Sequence, residues 1–153
     1  MVLQVRGRPG YENCASARNF FIERRSAGCR EFIVDLKECR GVDSTFLGIL
    51  AGLANALSAE GGSLVLARPG EGLLMNIRNL GLDRLLKIAA DPGFEAAQAA
   101  PLPGGGADEF QQAKMILEAH ENLARANPSG APVFLDVVEF LKEHVAKKCR
   151  ETN

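Results

Sequence analysis

Residues 31–61 read EFIVDLKECRGVDSTFLGILAGLANALSAEG, a strand-like run that passes into a helix with almost no polar side. Phe32, Ile33, Val34 and Leu36 form a short apolar, partly β-branched segment of the kind that builds a buried strand. From residue 44 to residue 60 nothing breaks a helix except Gly48 and Gly52. Asp43 and Ser44 fall where that helix must begin, and a side-chain oxygen there can accept from a first-turn N–H with no partner inside the helix. Phe46, Leu47, Ile49, Leu50, Leu53, Ala54, Ala56 and Leu57 leave the helix apolar nearly all round. Such a helix must be covered on more than one face. A sheet can take one face; the other needs a second partner. Gly48 and Gly52, four apart, would let another backbone approach closely, with core packing as the plainer reading.

The flanking segments fit a repeating pattern. Residues 2–6 are a strand candidate, closed by Gly7 and the Pro9-Gly10 turn signal. Asn13 or Ser16 could cap a helix carrying Ala17, Phe20, Phe21 and Arg24, with Gly28 ending it. After the central helix stops at Gly61-Gly62, residues 63–67 read as a third strand. Leu73, Leu74, Ile77 and Leu80 sit at helical spacing before Gly81, and residues 85–89 read as a fourth strand. Strand and helix alternating in this way imply successive βαβ units, hence parallel neighbours in a small sheet with packed helices. The fold class expected is therefore α/β.

Composition narrows the function. The chain has 153 residues and a formal net charge of −1 with mixed signs throughout, so it carries no basic footprint for nucleic acid. No apolar run approaches a membrane span, and Arg6 and Arg8 interrupt any signal-peptide core, so a cytoplasmic protein without membrane insertion is expected. Cys14, Cys29, Cys39 and Cys149 have neither C-x-x-C spacing nor a histidine cluster beside them, which favours reduced structural thiols over a metal site or disulfides.

Residues 91–106 change character, with Pro92-Gly93, Pro101-Leu102-Pro103 and Gly104-Gly105-Gly106 among alanines, and read as a mobile linker. Beyond it, Asp108 or Glu109 opens a helix on which Ala113, Ile116, Leu117, His120, Leu123 and Ala124 line one side. Asn127-Pro128-Ser129-Gly130 interrupts it, and Val133, Phe134, Val137, Val138, Leu141 and Val145 form a second stripe. The domain organisation expected is 1–90 for the α/β unit, 91–106 for the linker and 107–153 for a C-terminal helical hairpin. The hairpin, around Phe134, Val137, Val138 and Leu141, is expected to cover apolar surface of the core, in cis or from a second copy. If it lies over the Ser44 end, it would also gate access there.

The chemical inventory is thin. The two histidines, His120 and His144, lie on the C-terminal helices, far from every cysteine, and read as surface or interface residues. No carboxylates pair into an acid/base constellation, and no glycine-rich phosphate loop follows a strand. Neither an enzyme nor a cofactor or metal site is expected.

The junction at Asp43 remains. Alone, Asp43-Ser44 is an ordinary helix cap. In context, G-V-D-S-T-F-L-G-I-L-A-G-L directly follows the D-L-K-E-C strand, and Gly61-Gly62-Ser63-Leu64 and Leu80-Gly81-Leu82 follow in order. Over residues 2–89 the chain resembles the STAS domain family, the bacterial anti-sigma factor antagonists and their relatives. The hallmark Asp-Ser-x-x-Leu-Gly stands here as Asp43, Ser44, Leu47 and Gly48.

The resemblance implies regulation by protein binding. It implies a serine-kinase anti-sigma factor as partner, phosphorylation of Ser44 (Thr45 as the fallback) that switches binding off, and a serine phosphatase that resets it. Asp43, Ser44, Thr45, Phe46, Leu47 and Gly48 would form the partner-binding surface, and the C-terminal helices offer a route to a homodimer. The alternative is a non-switching STAS adaptor in a signalling scaffold or lipid-transport complex, with Ser44 only a cap. Two departures stand out: the usual first hairpin strand is missing, and Phe46 replaces the family's common glycine after Ser-Thr.

Overall fold

The computed structural model describes residues 1–93, 99–104, 106–130 and 132–152. Strands β1 (Val2–Gly7), β2 (Glu31–Cys39), β3 (Ser63–Ala67) and β4 (Lys87–Ala89) lie side by side in sequence order, every neighbouring pair parallel. The register sets Val2 beside Ile33, Phe32 beside Leu64, and Val65 beside Lys87. Helices α1 (Tyr11–Ser26), α2 (Ser44–Ala59) and α3 (Glu71–Asn79) make the connections between strands. The parallel α/β fold is thus the one the alternating pattern implies.

Three local boundaries differ from the sequence reading. Helix α1 begins at Tyr11, capped by the backbone of Gly10, whose carbonyl accepts from the Asn13 N–H; neither the Asn13 nor the Ser16 side chain caps it. The fourth strand is only three residues long. Leu82–Arg84 form a 3-10 turn instead, and the Leu85 and Leu86 N–H groups donate to the Leu82 carbonyl. Leu82 and Leu86 are fully buried, so this apolar run plugs the core rather than extending the sheet. The third difference concerns the linker: Leu102 packs on the core, and with Pro101 it lines a groove along β1 that also includes Val2, Gln4, Arg6 and Phe20. The edge where a further hairpin strand would pair is therefore bordered by this segment. Residues 94–98 and 105 of the expected linker lie outside the described residues.

The core gathers Phe21 from α1, Phe32, Val34 and Leu36 from β2, Leu64 and Leu66 from β3, and Leu50 and Leu57 from α2. Fully burying a side chain of this size stabilises the fold by about 1.5–3 kcal/mol. Beside the end of β3, the buried Asp35 and the half-buried Arg68 make a two-point ion pair, Nε to Oδ1 at 3.1 Å and Nη2 to Oδ2 at 2.6 Å. The Lys37 N–H also donates to Asp35. Burial raises the Asp35 carboxyl, but the Arg68 and Lys37 hydrogen bonds and charges overcome it and hold the group below the usual carboxylate range. Arg68 holds this position with φ of 55°, a left-handed conformation uncommon for a side-chain-bearing residue.

The C-terminal helices α4 (Glu109–Ala126) and α5 (Pro132–Thr152) pack on each other, and α4 lies along α2. The doubly apolar α2 thus finds its second cover within the same chain. The contact falls on α4 rather than on the α5 stripe: Phe134 and Val138 are buried, Leu141 is half-buried and Val137 is exposed. On α4 the buried line runs through Ala113, Met115, Ala119, His120 and Leu123, while Ile116 and Leu117 are only half-buried. The reason is that α4 is sandwiched between two helices, so its small residues face the crossing. Among the described residues no helix is long and apolar enough to cross a membrane.

Candidate functional site

Strand β2 ends at Cys39, and a four-residue connection delivers the chain to α2. Asp43 is the residue before the helix, with extended backbone, and its Oδ1 accepts from the Phe46 N–H at 2.8 Å. This cap fixes where the helix starts and places Ser44 at its first position. An asparagine can make the same bond and an alanine cannot. Asp43→Asn is therefore expected to unfold close to wild type, and Asp43→Ala about 1 kcal/mol more easily, in a denaturant titration.

Ser44 meets a residue far away in sequence. Its Oγ lies 3.1 Å from His120 Nε2, on α4. The other ring nitrogen, Nδ1, lies 2.8 Å from the Ile116 carbonyl one turn back. A carbonyl can only accept, so Nδ1 carries a proton; in the neutral ring Nε2 is then an acceptor, and the Ser44 hydroxyl donates to it. The Ser44 proton is directed at α4.

The rest of the expected partner-binding stretch faces inward. Thr45, Phe46 and Leu47 are buried, whereas Asp43 and Ser44 are half-buried. Phe46 sits in the core and so does not present an aromatic ring to a partner. Gly48 meets α4 backbone to backbone: a Cβ there would come within 2.8 Å of Ala119 Cα and closer still to its carbonyl. The Asn122 side chain donates to the Gly48 carbonyl at 3.2 Å and lies across Gly52. Of the six residues, the structure leaves the Asp43-Ser44 corner nearest to solvent.

His120 is oriented by a main-chain carbonyl of its own helix, not by a carboxylate, and the Asp43 Oδ1 is engaged by the cap. A serine–histidine–acid relay is not assembled here. Nearby, burial, and then the Asp43 charge, push the Cys14 thiol up to about 12, so it stays protonated and unreactive at neutral pH. Cys29 and Cys39 are half-buried and donate to the backbone carbonyls of Glu31 and Gly41, and Cys149 is exposed. Among the described residues no three His, Cys, Asp or Glu side chains come together as metal ligands would.

Sequence reasoning missed His120. It stood in the apolar stripe of α4, and no local spacing ties it to a serine 76 positions earlier. The one clue was indirect: a helix with two faces to cover and two glycines on one of them.

The fold and this junction define a small parallel α/β module that presents one serine at the start of its central helix. The family model described as "Mlab, STAS domain" matches residues 1–87, more than half of the chain, and the chain belongs to that family. No curated protein matches the sequence. Among solved structures, a candidate anti-sigma factor antagonist from Thermotoga maritima is similar at a TM-score of 0.54 and 23% identity, over 57% of this chain and 75% of that one. The anti-sigma factor antagonist SpoIIAA in its unphosphorylated form is similar at a TM-score of 0.52 and 18% identity, over 59% of this chain and 79% of that one. Identities this low establish a common fold.

Proposed function

We propose that this chain is an anti-sigma factor antagonist-like regulator of transcription. It acts in the cytoplasm, binds a serine-kinase anti-sigma factor at the Asp43-Ser44 corner, and is switched off by phosphorylation of Ser44. The observation that carries the reading is the placement of Ser44: a half-buried hydroxyl at the first position of α2, set there by the Asp43 cap, in a STAS fold. In the transfer, the terminal phosphoryl group of ATP passes to Oγ, the hydroxyl proton leaves to a base, and ADP departs. A helix N-terminus with its positive dipole end accommodates the product within the domain. Across an interface the same added charge, about −2, meets desolvation and any acidic partner groups. A serine phosphatase then restores the binding form. Thr45 is the weaker acceptor because it is buried.

The exposed Val133, Val137 and Phe140 of α5 are the surface this reading leaves for a second copy, which light scattering on the purified chain would test. One observation favours a non-switching adaptor in a signalling scaffold or lipid-transport complex instead: the Ser44 hydroxyl is already bonded, and residues 45–48 are covered. Co-expression with serine kinases from the same genome separates the two. Intact mass is expected to show one added phosphoryl group on wild type and none on Ser44→Ala. Modification that persists on Ser44→Ala, or none on either, would leave the adaptor.

A further inference from the structure

The geometry points to the Ser44–Gly48–Gly52 face of α2 as a helix-docking surface whose resident occupant is α4, so that a partner reaches Ser44 only when α4 lifts away. This rests on the antagonist reading of Ser44 and adds the regulation of that site.

Three contacts along one line carry it. At the start of α2, the Ser44 hydroxyl and His120 Nε2 are in hydrogen-bond contact at 3.1 Å. One turn on, Gly48 lies against the Ala119 backbone, a packing only glycine permits. After a further turn Gly52 lies under Asn122, whose amide holds the Gly48 carbonyl. Small residues on one helix and a close backbone on the other make a groove shaped for a helix, and the groove is filled. Ala119 meets backbone here, so α4 cannot slide nearer to or along α2 without a clash.

The closed arrangement conflicts with what the site must do. With 3.1 Å between Oγ and Nε2, the Ser44 hydroxyl is engaged by α4, and a phosphoryl group on Oγ could not stand on that line. His120 is itself buried, so the side of Ser44 that faces α4 is covered. Helix α4 is held on α2 mainly by the buried Met115, Ala119 and Leu123; Asn127 adds a bond to the Leu80 carbonyl at 2.9 Å, and at the partly exposed surface Arg18 and Glu118 pair at 2.6 Å. Surface pairs of this type contribute little against water.

A disulfide between α2 and α4 tests this in the full chain. A Cβ at Gly52 would stand 2.9 Å from Asn122 Cγ, which brings Gly52→Cys and Asn122→Cys close enough to be cross-linked. The pair is made in a Cys149→Ser background, and one preparation is compared oxidised and reduced. Hydrogen exchange at the α2 first turn and in α4 is expected to be at least tenfold slower in the oxidised form. Binding to the kinase partner is expected to be at least tenfold weaker and to recover on reduction. Equal binding by the two forms would overturn the proposal whatever the exchange rates. Binding by neither form would sink the antagonist reading instead, and exchange alone would then decide the cover: slower when oxidised upholds it, equal overturns it. Asn122→Ala is the independent check should the pair fail to fold. It removes the amide that holds Gly48 and leaves α2 untouched, so faster exchange at the α2 first turn supports the cover and unchanged exchange contradicts it.

Discussion

Replacing Gly48 by alanine is expected to destabilise this protein by about 2–3 kcal/mol, although alanine is the better helix former. The intrinsic gain inside a helix is about 1 kcal/mol. Against it stands the Ala119 backbone, which a new Cβ would meet well inside contact distance. A flexible side chain could turn aside; a helix backbone packed on both sides cannot. Relief comes only if α4 moves off α2, which exposes Leu123, Met115 and the α2 face together. The midpoint of thermal unfolding should fall by about 5–10 °C for a chain of this length. Gly72→Ala on α3 is the matched control, because nothing lies within 4 Å of its Cβ position, and it is expected to stabilise by about 0.5–1 kcal/mol. Equal stability of Gly48→Ala and wild type would mean that α4 does not sit on α2 in solution.

The second large effect is expected at Asp35. Asp35→Asn removes the carboxylate that Arg68 binds at two points, with almost no change of shape, and is expected to cost about 2–3 kcal/mol. Acid supplies the same perturbation reversibly. The Asp35 carboxyl is held below its ordinary value of about 3.9 by Arg68 and Lys37, against the opposing effect of burial. A group lowered by folding contributes stability above its unfolded value and loses it as pH falls through the folded one. The wild type should therefore weaken progressively below about pH 4, while Asp35→Asn lacks this part of the acid response, so the gap between them narrows. Denaturant titrations at several pH values read it directly. A constant gap from neutral pH to pH 2 would show that the pair does not contribute in this way. Arg68→Gly separates strain from charge. It relaxes the φ of 55° and still should destabilise, because the carboxylate is left buried.

Much of the α/β unit was legible in the chain because its signals are local. The Asp43 cap, the Gly28 and Gly81 stops and the β-branched run of β2 each act within a few residues, and all are found where the pattern set them. The short β4 was not legible, since Leu85 and Leu86 carry the same apolar signal whether they extend a strand or plug a core. Nor were the packing directions of the C-terminal helices. Each has a plausible stripe, and only the sandwich of α4 between α2 and α5 selects Ala119 over Leu117 as the facing residue. The site divides in the same way. Asp43-Ser44 could be read from its motif, whereas His120 becomes part of the site only through a contact that no spacing encodes.

The most direct measurement is the affinity of the kinase partner for the unmodified chain and for the same chain phosphorylated on Ser44, with the site of the phosphoryl group verified by peptide mapping. The account predicts a loss of about two decades on phosphorylation, equivalent to roughly 2.7 kcal/mol, and a similar loss for Ser44→Asp, while Ser44→Ala binds as the unmodified chain does. Equal affinity of the unmodified and phosphorylated chains would contradict it.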